Sequence, residues 1–294
     1  MASQVRDRTM DGQTCLVTGA TSGIGEVTAR ELARRGARVL IVGRAPERCA
    51  ATLDRIRGET PAAAAESMIA DLSSQAGVRQ LAEQVRARCQ RLDVLLNNAG
   101  GMFLTRRESV DGIEMTLALN HLSYFLLTHL LLPLITSSAP ARIVNVASDA
   151  HKGASIHFDD LQSRASYSGW RAYQQSKLAN ILFTYELARR LDGTGVTVNT
   201  MHPGFVRTGF FREMEGWKGW LIRRCADLVA IAPEQGARTL IYLASSPEVA
   251  GLTGRYFVKE KPVASSAASQ DQALAQRLWR VSEELTGMPA PATT

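Results

Sequence analysis

Strand-like and helix-like segments alternate along the whole chain. Short apolar runs predict strands at Thr14–Thr18, Arg38–Val42, Ser67–Ala70, Asp93–Leu96, Ala141–Ala147, Val196–Met201 and Arg255–Val258. Amphipathic stretches predict helices at Gly23–Arg35, Pro46–Arg57, Ala76–Cys89, Gly112–Ile135, Gly169–Leu191, Pro233–Leu243 and Asp271–Leu285. Strands at this spacing pair in parallel, and runs such as 94–96 are apolar on both faces. We therefore predict an α/β fold, a doubly wound, seven-stranded parallel sheet with helices on both faces.

Composition indicates one globular domain. The chain has 294 residues, of which 45% are hydrophobic and 21% charged, and this excludes a disordered chain, a collagen-like repeat and a disulfide scaffold. No linker or charge block divides it, so we expect one domain at 13–288, an N-terminal extension at 1–12 and a frayed tail at 289–294. A formal charge of +6 suits anionic ligands but is too small to indicate a nucleic-acid partner.

Cysteine spacing and apolar stretches bear on the cellular compartment. Cys15, Cys49, Cys89 and Cys225 are far apart, and no Cys/His pattern has metal-ligand spacing. The start of the chain is polar, without the apolar core of a signal peptide. The longest apolar stretch, Leu122–Ile135, is too short to span a bilayer. We expect a cytoplasmic protein that works without a metal ion.

A glycine-rich segment joins the first predicted strand to the first helix. Glycine permits a tight turn there and lets backbone N–H groups approach a pyrophosphate at the helix N-terminus. The spacing is neither GxGxxG nor that of a P-loop, and close packing of the helix on the turn could also require it. Its position favours a phosphate-binding loop that includes Gly19, Thr21, Ser22, Gly23, Ile24 and Gly25.

Polar motifs also follow the other predicted strands. Ligands of open α/β sheets bind beyond the carboxyl ends of the strands. Each motif alone could be turn chemistry, but five at one edge of a sheet indicate a ligand. The five are Gly43-Arg44, Asp71-Leu72, Asn97-Asn98-Ala99-Gly100, Ser148 and Pro203-Gly204.

Tyr173 and Lys177 are four residues apart in a predicted helix and therefore share a face. A phenol has a pKa of about 10, and a nearby ammonium favours the phenolate and lowers that pKa. Such a tyrosine can give a proton to a carbonyl oxygen or take it back, and Ser148 could hydrogen-bond the same oxygen. The alternative is a solvated helix face, because Tyr-x-x-x-Lys is common by chance.

Together these motifs resemble the short-chain dehydrogenase/reductase superfamily, which has a Rossmann-type fold. The matching pieces are residues 18–25, Asn97-Asn98-Ala99-Gly100, Asn120, Ser148, Tyr173-Gln174-Gln175-Ser176-Lys177, Pro203-Gly204 and Thr208. The resemblance implies that Tyr173 is the general acid/base and that Lys177 lowers its pKa and holds the nicotinamide ribose. It also implies that Ser148 positions the substrate oxygen and that Asn120 holds a water in a proton relay.

The resemblance further implies contacts with a nicotinamide dinucleotide. Asp71 would bond the adenine amine, with Leu72 packed nearby, and Thr208 would reach the carboxamide or the phosphates. The other residues that would line the cofactor are Asn97, Ala99, Gly100, Tyr173, Lys177, Pro203, Gly204 and Val206. A closer resemblance, to the retinol dehydrogenase-like branch, is carried by residues 119–128, 142–148, 176–183 and 242–249.

The segment at about 204–232 is rich in aromatic residues. The resemblance makes it a substrate lid, and its composition favours a hydrophobic carbonyl or alcohol over a sugar. Its candidate substrate contacts, besides Ser148, are Phe205, Phe210 and Trp217. Two alternatives are a helix on a membrane surface and an interface of a homo-oligomer.

The turn after the second strand predicts the cofactor. An NAD site there presents Asp or Glu to the ribose 2′-OH, but this chain has Arg44 and no acid until Glu47. Arg44 can bind a 2′-phosphate, so we expect NADP(H) to be preferred over NAD(H). The alternative is that Arg44 faces solvent or stacks on adenine. The predicted function is NADP-dependent interconversion of an alcohol and a carbonyl; the alternative is a cofactor-binding regulatory protein without turnover.

Overall fold

A computed structural model describes residues 9–204 and 231–288. Eight strands of this described part form one sheet in the order β3-β2-β1-β4-β5-β6-β7-β8. They are β1 (Thr14–Thr18), β2 (Arg38–Gly43), β3 (Ala65–Ile69), β4 (Val94–Asn97), β5 (Ala141–Val146), β6 (Val196–His202), β7 (Tyr256–Val258) and β8 (Lys261–Val263). The first seven pair in parallel, which confirms the predicted doubly wound sheet.

Helices cover both faces of the sheet. They are α1 (Gly23–Arg34), α2 (Pro46–Glu59), α3 (Gln75–Arg88), α4 (Met115–Ser137), α5 (Gly169–Arg190), α6 (Pro233–Ser245) and α7 (Gln272–Thr286). Side chains of successive strand residues point to opposite faces of the sheet. Leu16 belongs to the core cluster with α3, α4, α5 and α7, whereas Val17 belongs to the cluster with α1, α2 and α6. Each such fully buried side chain contributes about 1.5–3 kcal/mol.

The strand count was predicted wrongly by one. β8 pairs antiparallel with β7 at the edge of the sheet, so the sheet has eight strands instead of seven. The connecting turn places Lys259 at φ 50° and Glu260 at φ 64°. Two-residue hairpin turns of this kind favour Asn and Gly, and Lys-Glu gives no such signal. The strand itself is short and exposed, so its sequence lacks an apolar pattern.

Part of the predicted N-terminal extension packs on the domain. Met10 is fully buried, and its backbone N–H donates to the carbonyl of Arg35 at 3.0 Å. The domain boundaries remain predictions.

The apolar helix α4 belongs to the core. By length and composition it could cross a membrane, but 67% of its most apolar window is buried inside the fold. Phe125, Leu131 and Ile135 are fully buried against the sheet and the neighbouring helices. Its turn at Ala118–Leu122 is a π-helix, a feature frequent at functional sites.

The left-handed turn between β7 and β8 generates a prediction. Asn adopts positive φ more easily than Lys, so we expect Lys259→Asn to raise the free energy of unfolding by up to about 1 kcal/mol. Chemical denaturation measures the change. Lys261→Asn is the matched control, because it removes the same charge from β8 and should not stabilise the protein. Equal effects of the two substitutions would contradict the explanation by backbone strain.

Candidate active site

The carboxyl ends of the parallel strands bring the predicted motifs to one edge of the sheet. The glycine loop follows β1, Arg44 follows β2, and Asp71 lies just beyond β3. Residues 98–100 follow β4, Ser148 lies beyond β5, and Pro203 and Gly204 follow β6. The topological switch point lies between β1 and β4, because β2 and β3 follow on one side of β1 and the later strands on the other. A ligand crevice forms at such a point.

The glycine loop packs so tightly that no side chain fits at Gly19 or Gly25. Gly19 and Gly23 have positive φ, at 65° and 58°. A Cβ on Gly19 would lie 2.8 Å from the Cα of Ala99, and one on Gly25 would lie 2.5 Å from the Gly19 carbonyl oxygen. The loop therefore exposes bare backbone at the start of α1, which fits the pyrophosphate of a dinucleotide.

Asn98 holds this loop in place, a role that sequence reasoning missed. Its Nδ2 donates to the carbonyls of Thr18 at 2.8 Å and Gly19 at 3.2 Å. Its backbone N–H donates to the Thr18 hydroxyl at 2.8 Å, and that hydroxyl donates to the Leu96 carbonyl. The signal in the sequence was the second asparagine of Asn97-Asn98, which stands directly beyond β4.

Three predicted cofactor contacts have partners within the protein. Asn97 is fully buried, and its Nδ2 donates to Thr128 Oγ1 at 3.0 Å and Asn145 Oδ1 at 2.8 Å. Leu72 lies in the core beside α3. Asp71 is exposed, and its Oδ1 accepts hydrogen bonds from the backbone and hydroxyl of Ser73. Their contacts with a cofactor remain predictions.

Two arginines lie beside the glycine loop. A Cβ on Gly43 would lie 2.6 Å from Cys49 Sγ and would collide with Thr21, so the end of β2 packs closely on the loop. Arg44 is exposed at this end, and Arg48 Nη2 donates to the Thr21 carbonyl at 3.3 Å. Ser22 is exposed at the N-terminus of α1, and its side chain makes no capping hydrogen bond.

The predicted catalytic residues are brought together. Tyr173 is 8% exposed, and its hydroxyl is hydrogen-bonded with Ser148. Lys177 is 4% exposed, and its Nζ lies 5.5 Å from the centre of the Tyr173 ring. The same Nζ donates to the carbonyl of Val146, the last residue of β5, at 3.0 Å.

Burial shifts the pKa values of Tyr173 and Lys177 and so sets their protonation states. Desolvation raises the pKa of Tyr173 to about 12, and the hydrogen bond with Ser148 offsets only part of that rise. Burial therefore outweighs any lowering of the Tyr173 pKa by Lys177, and that effect of Lys177 remains a prediction. Burial also lowers the pKa of Lys177 to about 8. At pH 7 the phenol keeps its proton, and most of the ammonium stays charged.

Asn120 lies in the π turn of α4 and is fully buried. Its Oδ1 accepts from the Gly101 N–H at 2.8 Å, and its Nδ2 donates to the Gly101 carbonyl at 2.9 Å and Ser176 Oγ at 3.0 Å. A Cβ on Gly100 would lie 3.0 Å from this Oδ1. Asn120 thus fastens the loop after β4 to α5, next to Lys177; its proton relay remains a prediction.

Part of the predicted site lies outside the described residues. This applies to most of the lid at about 204–232 and to Phe205, Val206, Thr208, Phe210 and Trp217. Gly204 is described, at φ 87°, and a Cβ there would lie 2.7 Å from Ile231 Cδ1. Within 9–204 and 231–288, no group of three His, Cys, Asp or Glu could hold a metal ion; independence from metal remains a prediction.

Comparison with known proteins decides the family. The family model for short chain dehydrogenase matches residues 13–219. The chain is a short-chain dehydrogenase. It is 45% identical to retinol dehydrogenase 14 from Homo sapiens, over 95% of this chain and 88% of that protein. It is 42% identical to retinol dehydrogenase 13 from Homo sapiens, over 97% of this chain and 87% of that protein.

Solved structures agree with this assignment. An uncharacterized protein from Mycobacterium Paratuberculosis superposes on the dehydrogenase with a TM-score of 0.76 at 36% identity, covering 95% of this chain and 96% of that one. The RhlG/NADP active-site complex from Pseudomonas aeruginosa gives a TM-score of 0.68 at 32% identity, covering 86% and 96%. The dehydrogenase is thus retinol dehydrogenase-like, an oxidoreductase acting on CH–OH groups with NAD(P). A regulatory protein without turnover is not favoured.

The hydrogen bonds of Asn98 generate a prediction. Asn98→Ala should raise the Kd for NADPH by up to about 30-fold, because the glycine loop loses two hydrogen bonds of about 1 kcal/mol each. Fluorescence titration measures the Kd. The control is Asn199→Ala, which also removes two amide hydrogen bonds to backbone, those with Leu252 and Arg255 near the other edge of the sheet. If both substitutions left the Kd unchanged, Asn98 would have no part in cofactor binding.

Proposed function

We propose that the dehydrogenase interconverts an alcohol and a carbonyl on a hydrophobic small molecule, with NADP(H) as the preferred cofactor and Tyr173 as the general acid/base. The observation that carries the proposal is the cluster of buried Tyr173 and Lys177 with half-buried Ser148, at the same sheet edge as the glycine loop. We also propose a cytoplasmic location, which the free buried thiols of Cys15, Cys49 and Cys89 support.

The side chains divide the chemistry among them. When bound, the nicotinamide cofactor supplies or accepts a hydride. In the reductive direction, the Tyr173 hydroxyl gives its proton to the carbonyl oxygen, and Ser148 Oγ donates a second hydrogen bond to that oxygen. The ammonium of Lys177 would hold the ribose, and the N–H groups of the glycine loop would hold the pyrophosphate. The burial of the cluster strengthens each of these polar interactions by excluding water.

The pKa values set which form of the site is present near neutral pH. Because burial raises the pKa of Tyr173 to about 12, the phenol carries at pH 7 the proton that carbonyl reduction needs, and its phenolate is scarce. Oxidation of an alcohol needs the deprotonated form, so its rate should increase with pH. The reductive rate should fall above about pH 8, because Lys177, whose pKa burial lowers to about 8, loses its charge there.

The proposed preference for NADP(H) rests on positive charge beside the glycine loop, where the adenine ribose would bind. Arg44 at the end of β2 and Arg48 in α2 provide two cations next to the glycine loop. Arg44 occupies the place after the second strand where an NAD site carries an acid. A guanidinium binds phosphate with paired hydrogen bonds, whereas a carboxylate would repel it.

Exposed apolar side chains near Tyr173 support a hydrophobic substrate. Trp170 is 52% exposed, and its ring stacks on that of Tyr173 with 6.0 Å between centres and 28° between planes. Leu104 is 40% exposed. A Cβ on Gly169 would lie 3.0 Å from the Leu104 Cα, so this segment packs directly beside Trp170. These side chains form an apolar surface on which the body of a substrate can pack.

The acid/base assignment gives a prediction for Tyr173→Phe. The variant should bind NADPH normally but lose at least about 10²-fold in kcat, because the phenylalanine has no proton to give. NADPH consumption with a panel of aldehydes and ketones measures the rate. Tyr185→Phe is the matched control on the same helix, since it removes the hydroxyl that bonds Ser265 and should leave kcat unchanged. Near-normal turnover by Tyr173→Phe would remove Tyr173 from its proposed role.

The cofactor assignment gives a prediction for Arg44→Asp. The KM for NADPH should rise strongly and that for NADH should change little, because only NADPH carries the 2′-phosphate that the new carboxylate repels. Arg86→Asp is the control, an equal charge change at an exposed position near the end of α3. An unaltered enzyme that used NADH with equal or better kcat/KM would show that Arg44 does not select the cofactor.

The apolar surface gives a prediction for Trp170→Ala. We expect the KM for aromatic aldehydes to rise about 3- to 10-fold, the scale of one lost aromatic contact, while Trp170→Phe retains most of the affinity. A small aliphatic aldehyde serves as the control substrate, and its KM should hardly change. Identical effects on both substrates would mean that Trp170 supports the fold of the site instead of contacting the substrate.

A further inference from the structure

A second polar side chain of the π turn points into the protein without a role in the proposed chemistry. His121 follows Asn120 and is 1% exposed. Consecutive side chains of an ordinary α-helix diverge by about 100°. The π turn nevertheless lets both contact the same helix, since Asn120 bonds Ser176 and His121 contacts Asn180, one turn further along α5.

A chain of contacts leads from His121 to Lys177. His121 Nδ1 lies 3.4 Å from Asn180 Oδ1. Asn180 Nδ2 donates to the Val146 carbonyl at 3.4 Å, and Lys177 Nζ donates to the same oxygen at 3.0 Å. On its other side, His121 Nε2 lies 2.9 Å from Ser282 Oγ, in α7. The chain therefore joins the C-terminal helix to the buried ammonium.

The contact between His121 and Asn180 favours one tautomer of the imidazole ring. Burial lowers the pKa of His121 to about 4, so the ring is neutral at pH 7 and has a single N–H. Asn180 uses its Nδ2 on Val146 and presents Oδ1 to the ring, so Nδ1 must carry the proton to avoid two facing acceptors. Nε2 then accepts from the Ser282 hydroxyl, which otherwise donates to the Leu278 carbonyl within its own helix.

We propose that His121, as the Nδ1–H tautomer, and Asn180 are positioning residues that fix the Val146 carbonyl and thereby the ammonium of Lys177. A carbonyl oxygen has two lone pairs. Asn180 occupies one of them, so Lys177 is directed to the other and its remaining N–H groups are held in one orientation. His121 prevents the side-chain amide of Asn180 from rotating by about 180°, which would exchange its oxygen and nitrogen. The value of this arrangement for catalysis rests on the role proposed for Lys177.

The tautomer can be measured on the unaltered protein. Long-range ¹H–¹⁵N correlation spectra distinguish protonated from unprotonated ring nitrogens, and loss of one signal set in His121→Phe assigns His121. We expect a neutral ring at pH 7 with the proton on Nδ1. A proton on Nε2, or a charged imidazolium, would overturn the proposal without bearing on the role of Tyr173.

Kinetics test the positioning role. His121→Phe keeps an aromatic ring between Phe125 and Phe183, and Asn180→Leu keeps the volume of the amide. Each should lower kcat for carbonyl reduction about 10- to 100-fold and leave the KM for the carbonyl substrate within about twofold. The double variant should be no worse than the poorer single variant, since the two residues act through one chain. His121→Asn should restore much of kcat, because its amide can donate to Asn180.

The controls separate this proposal from the proposed function. Ser245→Ala removes a hydroxyl that donates to the Ile241 carbonyl of its own helix and accepts from Arg35, and it should lower stability without changing kcat. If His121→Phe and Asn180→Leu lowered only the melting temperature, as is expected of Ser245→Ala, while Tyr173→Phe abolished turnover, the residues would be structural and the positioning role would be wrong. If Tyr173→Phe retained turnover, the proposed function itself would fail.

Discussion

The burial of the Lys177 ammonium is the constraint on which the arrangement of the site depends. A charge removed from water costs several kcal/mol unless acceptors in the protein replace its hydration. The carbonyl of Val146, the last residue of β5, is such an acceptor. The π turn of α4 and the start of α5 then close around the same point, with Asn120 and His121 as their polar contacts. The site for proton transfer thus lies where β5, α4 and α5 meet.

Much of the fold could be predicted because its pattern is local. Strands buried on both faces are apolar throughout, as at 94–96, and helices show an apolar stripe, so period and spacing were sufficient for seven strands. β8 was not predicted, because an exposed three-residue edge strand has no apolar pattern and its turn has Lys259 and Glu260 at positive φ. The burial of Met10 was not predicted, because burial of one side chain depends on tertiary contacts.

The residues of the candidate site also fall into two groups, those that the sequence predicts and those that it does not. Residues that perform chemistry, such as Tyr173 and Ser148, are recognisable because few residue types can do that work. Residues that hold others in place, such as Asn98 and Asn180, could not be predicted, because their partners come from distant segments. The pKa of Tyr173 shows the limit most clearly. The sequence reveals the neighbouring Lys177, whereas the desolvation that raises the pKa to about 12 follows only from the packing around the ring.

The proposed chemistry requires a protonated Tyr173 beside a charged Lys177. The most direct test is the pH dependence of kcat/KM for carbonyl reduction with NADPH. This quantity reports the pKa values of groups in the free enzyme. We expect a plateau between about pH 6 and 7 and a fall above about pH 8, where Lys177 loses its proton. A reductive rate that increases with pH across this interval would contradict the assignment, because it would mean that the active form carries one proton fewer.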